Sequence, residues 1–356
     1  FYEQHKANIW CGYNSRSYDQ YILKSILLDF NPKEVNDWII RDHKPGWQYS
    51  SLFNKVQLFN YDVMTDKTHS LKQLEGFLGN NIKETSVPFD IDRKLNTAEI
   101  RETVQYCTSD VMNTINVFIQ RKEEFSSQMA LIKTFNLPLQ YIGKTKPQLS
   151  AIILGASRRE YDDEFDISIP NTLRIKKYQY IVDWYKNLEN RNYEKSLETK
   201  VAGVPHVFAW GGVHGAIEKY SGKGLFINCD VASLYPSIMI EYGYLSRNVS
   251  QSQKYAEIKE IRLRLKKEKN PMQKPYKIVL NSTYGAMKDK YNQLYDPLMA
   301  NNVCITGQLL LLDLIEHIEP YCKLIQSNTD GLFLKVDSKD TFEKIKTVAH
   351  EWEIRT

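Results

Sequence analysis

The stretch "LFINCDVASLYPS", Leu225 to Ser237, reads as a buried strand that ends at Asp230 and runs into a turn. A second stretch, "KLIQSNTDGLFLKV", Lys323 to Val336, reads as a hairpin: two short apolar runs flank the tetrapeptide Asn328-Thr329-Asp330-Gly331. Asn, Asp and Gly are turn residues for steric and hydrogen-bonding reasons, so each aspartate taken alone reads more readily as a turn residue than as a catalytic one. Taken together, two carboxylates at strand ends of one sheet suit a pair of hard divalent cations, which prefer oxygen ligands.

A helical hairpin between the two stretches favours the chemical reading. In "KIVLNSTYG", Lys277, Asn281 and Tyr284 fall at i, i+4 and i+7, which is one face of a helix. A solvated face would be served better by Glu and Lys. A ligand with phosphates and a flat base would use Lys for charge, Asn for hydrogen bonds and Tyr for packing. Just upstream, Lys259, Arg262, Arg264, Lys266, Lys267 and Lys269 crowd one segment, with Arg262 and Lys266 on a shared face. Such a run is ordinarily a solvated surface, yet here a short turn ties it to the Lys277 face. The two helices together could clamp a triphosphate.

The chain's 356 residues exceed one compact core, and two or three domains are expected. Composition is that of an ordinary globular protein, with 42% hydrophobic and 25% charged residues. The net charge of +4 announces no partner by itself. No uninterrupted run of eighteen apolar residues is present, so no membrane partner is expected. Cys11, Cys107, Cys229, Cys304 and Cys322 form no CxxC pair and have no His cluster beside them, which argues against zinc and disulfides and for reduced thiols in a cytoplasm-like compartment. "SGKG" (Ser221–Gly224) lacks the glycine spacing and following Ser or Thr of a phosphate loop. The sequons at Asn248 and Asn281 have nothing beside them that points to secretion.

Along the chain, residues 1 to about 135 alternate apolar runs with helical patterns. Asn8–Tyr13 reads as a strand and "DQYILKSIL" as a helix. From Asn96 to Phe125 the pattern is one long helix, capped by Asn96 with Glu99, with Ile100, Val104, Cys107, Val111, Ile115 and Phe118 as its apolar stripe. Residues 136–200 read as a helical connector. A helix is expected from Asn302 to about His317.

The residues now spell out a resemblance. "DVASLYPS" (Asp230–Ser237), "KIVLNSTYG" (Lys277–Gly285) and "NTDG" (Asn328–Gly331) resemble motifs A, B and C of family B DNA polymerases, in the right order and spacing. "YNSRSYD" (Tyr13–Asp19) and "YCTSD" (Tyr106–Asp110) resemble the second and third motifs of that family's 3′–5′ exonuclease, and "WGGVHGA" (Trp210–Ala216) its interdomain glycine loop. The style of the sequence is most similar to bacteriophage polymerases. The resemblance implies a multidomain α/β and α+β fold: a partial RNase H-like exonuclease domain (1–135), the helical connector (136–200), a palm with an antiparallel sheet and helices (201–250 and 289–356) and a two-helix fingers hairpin (251–288).

It also implies roles. Asp230 and Asp330, with the carbonyl of Val231, would hold two Mg²⁺ ions, or Mn²⁺ in their place. The backbone at Ser233 and Leu234 would face the triphosphate, and Tyr235 would exclude a 2′-hydroxyl. Lys277, Asn281, Arg262 and Lys266 would bind the nucleotide, with Tyr284 and Gly285 against the nascent base pair. Gly211 and Gly212 would meet DNA. In the exonuclease, Asp19 and Asp110 would be metal ligands, Tyr106 would orient water and Asn14 would touch the frayed strand. Primer-template DNA, dNTPs and replication accessory proteins are the implied partners. The implied location is the cytoplasm, that of the host if a phage encodes the protein.

The sequence departs from the family pattern in three ways. No D-x-E motif precedes Tyr13; "FDID" (Phe89–Asp92) lies between the second and third exonuclease motifs and reads as a loop. The chain opens on Phe1 and stops 26 residues after Asp330, which leaves no room for a thumb, so a fragment is expected. Asn328 stands where the family has Asp, which leaves Asp330 as the indispensable carboxylate of that turn. A polymerase-derived module that grips DNA without turnover is the alternative, favoured by these departures and opposed by the retained Asp230, Tyr235, Lys277 and Asp330. An RNA-synthesising relative is the third reading, and Tyr235 argues against it.

Overall fold

A computed structural model describes residues 1–65, 69–80, 82–88, 91 and 93–356. "FDID" therefore lies outside the described residues except for Ile91. The chain divides into two compact units, Phe1–Thr145 and Lys146–Thr356.

The first unit opens with a short helix α1 (Tyr2–His5), then carries β1 (Ile9–Gly12), α2 (Asp19–Leu27), α3 (Pro32–Ile40), β2 (Phe59–Asp62), α4 (Leu71–Phe77), α5 (Thr97–Gln120) and α6 (Lys122–Thr134). β1 and β2 pair in parallel, Ile9 opposite Phe59 and Gly12 opposite Asp62. Caps set the helix starts. Asn31 accepts from Lys33 N ahead of Pro32, and Ser70 with Gln73 and Asn96 with Glu99 form reciprocal capping boxes. The core gathers Tyr61, Val63, Val117, Ile132 and Ile142.

The long helix expected from Asn96 to Phe125 breaks at Arg121, where α6 begins. Its apolar stripe is also not the buried face. Ile100, Val104, Val111 and Ile115 are 49, 58, 58 and 44% exposed, whereas Asn113 and Val117 are buried. The reason is one of reach. A helix of 24 residues runs about 36 Å, while four-residue strands run only about 13 Å. A sheet of two such strands covers only part of the helix.

The second unit contains α7 (Lys146–Ile153), α8 (Gln179–Lys186), β3 (Ser196–Val201), β4 (Val204–Ala209), β5 (Gly212–Ala216), β6 (Leu225–Asp230), α9 (Leu234–Glu241), α10 (Gln253–Lys267), α11 (Gln273–Lys288), α12 (Pro297–Ile318), β7 (Lys323–Ser327), β8 (Gly331–Val336) and α13 (Lys339–Arg355). Its six strands form one antiparallel sheet in the order β3-β4-β5-β7-β8-β6. Pro275 sits in the first turn of α11, where a missing N–H breaks no helix bond, so it marks a start and not a break.

α12 begins at Pro297, earlier than the expected Asn302, because Asp296 caps it and Pro297 occupies its first turn. It is long and apolar enough to cross a membrane, with mean hydropathy 1.5, yet 94% of that span is buried within the protein, which makes it the core helix of this unit. Its polar residues serve the segment expected to be a helical connector. Asn302 Oδ1 accepts from Ser168 N at 2.8 Å, Asp313 Oδ2 from Arg174 N at 2.5 Å, and Glu316 Oε1 from the amides of Lys176 and Lys177 at 2.9 and 3.1 Å. Backbone amides in an irregular segment need such partners when they leave water. From Lys146 onward this segment is thus part of the second unit, largely non-helical between α7 and α8, and β3 already begins at Ser196.

Candidate active site

The antiparallel register of β6 and β8 places Asp230 opposite Gly331, so the two aspartates stand at one end of neighbouring strands. Val231 N donates to Asp330 O at 2.8 Å, and Asn328 N donates to Gly331 O at 2.8 Å and closes the hairpin turn. Gly331 is required for close approach: a Cβ there would lie 2.5 Å from Asp230 Oδ1. Both aspartates are exposed.

Two amides that sequence reasoning missed flank the pair. Asn228 Nδ2 donates to Asp230 Oδ2 at 2.9 Å, and Gln326 Nε2 donates to Asn328 Oδ1 at 3.0 Å. The spacing i, i+2 on a strand, which puts both side chains on one face, is the signal that could have found them. Gln326 thereby engages the Asn328 carbonyl, and the residue shapes the turn tip.

A cleft of about 450 Å³ opens beside Asp330 and is lined by Ser233, Leu234, Tyr235, Arg262, Lys277, Asn281 and Tyr284, together with Thr329. The helical face deduced from the i, i+4, i+7 spacing therefore fronts this cleft. Of the cation run, Arg262 turns inward. It is 8% exposed, its Nη1 donates to Ser233 Oγ at 2.6 Å, and its Nε is buried without a partner. Ser233 holds a left-handed conformation, φ 59° and ψ 40°, at the start of α9. Lys266 is exposed and lies outside the lining, as does Gly285. Tyr235 and Tyr284 pack edge to face with centroids 4.6 Å apart. Burial, with the Cys304 thiol nearby, drives both phenol pKa values well above their ordinary range, so both rings stay neutral.

Among the described residues, no group of three or more His, Cys, Asp or Glu side chains is placed to hold a metal ion. The Asp230–Asp330 pair remains as a donor set of hard oxygens. Two exposed carboxylates at adjacent strand ends, one of them lining a cleft that also carries Arg262 and Lys277, fit Mg²⁺, which ordinarily takes one or two protein carboxylates plus substrate oxygens.

No protein-family model matches the chain. Over 222 residues it is 25% identical to DNA polymerase 1 of Saccharolobus solfataricus, covering 46% of this chain and 25% of that protein. Over 104 residues it is 29% identical to the DNA polymerase alpha catalytic subunit of Trypanosoma brucei brucei, covering 26% of this chain and 8% of that one. In fold it matches the family B DNA polymerase of Pyrobaculum calidifontis with a TM-score of 0.50 and 16% identity, over 98% of this chain and 48% of that structure. In sequence the chain is similar to these DNA polymerases, and it has the fold of a family B DNA polymerase. It spans about half the length of the solved polymerase, and its matches span a quarter or less of the two curated ones.

The six-stranded sheet also braces the hairpin from below. His206 is 2% exposed; its Nδ1 lies 2.8 Å from Val204 O and its Nε2 2.7 Å from Ser327 Oγ, next to the turn. A carbonyl only accepts, so Nδ1 carries the proton and Nε2 accepts from the serine. Burial holds the ring's pKa below its ordinary 6.5. The unfolded chain then binds the proton more readily, and stability falls as the pH drops below 6.5, by at most roughly 1.4 kcal/mol per unit. A His206→Gln variant should lose this part of the acid slope in urea denaturation at pH 5 and 7.5; an unchanged slope would show that the ring does not carry it. Gly211 and Gly212 lie at the turn of the β4–β5 hairpin beside the fully buried Trp210.

In the first unit, Asp19 and Asp110 line one cavity of about 600 Å³. Burial raises the pKa of Asp19, and the charge of Asp62 adds to this. Asp110 receives Lys72 Nζ at 3.0 Å, and the same ammonium lies 3.5 Å from the buried Glu75 and 4.5 Å above the Tyr106 ring. Lys72 was missed in the sequence because it follows the Ser70 cap and reads as an ordinary surface residue of α4. Tyr106 lines a different cleft, with Glu84 and Glu102. Asn14 is exposed at φ 58°, with its carbonyl accepting from Ser17 N and Tyr18 N.

Proposed function

We propose that this chain is the catalytic part of a DNA-directed DNA polymerase that adds deoxyribonucleotides to a primer 3′ end by two-metal phosphoryl transfer. The observation that carries this reading is the cleft that joins Asp330 and Tyr235 of the sheet unit to Arg262, Lys277, Asn281 and Tyr284 of the α10–α11 pair. Asp230 and Asp330, with the Val231 carbonyl, would hold two Mg²⁺ ions, or Mn²⁺. Bound there, such ions activate the primer hydroxyl and stabilise the leaving pyrophosphate. The chain's own residues do the rest. Lys277 and Arg262 neutralise the triphosphate, with Lys266 at its margin. Asn281 supplies a hydrogen bond, and the amides at Ser233 and Leu234 face the phosphates from the start of α9. Tyr284 and Gly285 lie along the nascent base pair, and the Tyr235 ring fills the space of a ribose 2′-hydroxyl.

In this reading α10–α11 are the fingers, 201–250 with 289–356 the palm, and the Gly211-Gly212 turn a DNA contact. Residues 1–135 make a 3′–5′ exonuclease domain in which Asp19 and Asp110 share one cavity, with Asn14 and Tyr106 as strand and water contacts. Primer-template DNA and dNTPs are the substrates, in genome replication of a phage and alongside its accessory proteins. The test is primer extension with dNTPs and then with rNTPs. The wild type should extend with dNTPs, and Tyr235→Ala should gain ribonucleotide incorporation by about 10²-fold. Absence of templated extension would overturn the polymerase reading, and an unchanged preference in Tyr235→Ala would remove the sugar gate.

A further inference from the structure

The Tyr235 ring is held from behind by α12. A Cβ added to Gly307 would lie 3.0 Å from Tyr235 Cε1, 3.5 Å from Ile238 Cδ1 and 3.6 Å from Leu234 Cδ2. One turn earlier on the same helix, Cys304 Sγ sits 3.9 Å from the Tyr235 hydroxyl. That floor is itself fixed: Gln308 Nε2 donates to Cys304 Sγ at 3.4 Å, and Tyr185 donates to Gln308 Oε1 at 2.7 Å. Tyr284 closes one flank of the ring. The direction left to Tyr235 is outward, into the cleft it lines.

Glycine is unfavourable in a helix interior relative to alanine. Gly307 nevertheless stands in the middle of a 22-residue helix with an ordinary helical conformation, so no turn or positive φ requires it. What it supplies is the missing methyl behind the ring. We propose that Gly307 sets how far the Tyr235 ring projects into the cleft, and so determines the stringency of sugar selection. The proposal rests on the reading of Tyr235 as a sugar gate. Gly307 touches no substrate; it acts through the ring, as a positioning residue, and Cys304 marks the depth to which the ring settles.

The experiment is a double-mutant cycle on the ratio of kcat/KM for a dNTP to that for the matching rNTP. Gly307→Ala pushes the ring outward, which should raise the dNTP KM and increase the preference for the deoxy sugar by about fivefold. The same substitution placed in a Tyr235→Ala background should leave the ratio where Tyr235→Ala alone puts it. A loss of correctly folded protein lowers both rates together and cancels in the ratio, and alanine is the better helix former, so the helix itself is not at risk. A Gly307→Ala ratio equal to wild type, or the same effect in both backgrounds, would overturn the proposal while leaving the gate intact. If Tyr235→Ala alone keeps the wild-type ratio, the gate reading falls and this proposal falls with it.

Discussion

Asp330→Ala should lower Mg²⁺-dependent primer extension by about 10³-fold, roughly 4 kcal/mol of transition-state stabilisation. Asp330 stands at the tip of the β7–β8 hairpin, exposed, with its carbonyl already committed to Val231 N at 2.8 Å. The backbone bond that fastens the tip to β6 therefore survives truncation of the side chain. Folding stability should change by no more than about 0.5 kcal/mol, as for exposed positions generally. A large loss of extension at constant Tm separates a chemical role from a structural one. Asn328 cannot substitute for the lost carboxylate, since it is neutral and its side-chain carbonyl already accepts from Gln326, and Asp230 alone leaves half of the donor set. Extension at near wild-type rate in Asp330→Ala would sink the assignment of this carboxylate to the metal site.

Lys277→Ala should lower kcat/KM for dNTPs by about 10²-fold, and Lys277→Arg should recover part of the loss. Arg262 is the other cation lining the cleft, and it already hydrogen-bonds Ser233 Oγ at 2.6 Å. Among the described residues, Lys277 makes no hydrogen bond or ion pair, and it is exposed on the cleft side of α11. Its ammonium is thus free to take a phosphate with nothing to give up first. The loss should shrink as ionic strength rises, because the contact is solvent-accessible. Steady-state kinetics across a dNTP titration checks this; a KM and kcat both within twofold of wild type would place the triphosphate elsewhere.

What could be read from the sequence was local. The period of Lys277, Asn281 and Tyr284, the Asn96–Glu99 capping box, and the strand and hairpin bearing Asp230 and Asp330 each lie within a few residues, and each is found in the structure. What could not be read depends on distant partners. Six cations in the 259–269 run look alike in sequence, and only packing of α10 beside α9 turns Arg262 inward to Ser233. The α5 stripe is apolar, yet its burial depends on how much sheet lies beneath it. The 154–178 segment between α7 and α8 has no helical or strand period, and several of its amides are satisfied instead by side chains of α12 more than a hundred residues away. The pairing of His206 with Ser327, across 121 positions, has no sequence signal.

The order of strands also says when Asp230 and Asp330 can come together. β6 lies at the edge of the sheet and pairs with β8 alone, and its partners are 101 positions apart at Asp230 and Gly331 and 111 at Leu225 and Val336. Closing a flexible loop of that length costs about 4 kcal/mol of chain entropy before any ladder bond compensates it. Such long-range pairing is slow to nucleate, whereas the α10–α11 hairpin within the loop can form from local contacts alone. During synthesis from the N-terminus, α10 and α11 are complete while Asp230 still waits on an unpaired strand. The Asp230–Asp330 pair should therefore assemble only after the chain has been made through Val336, when β8 becomes available to β6.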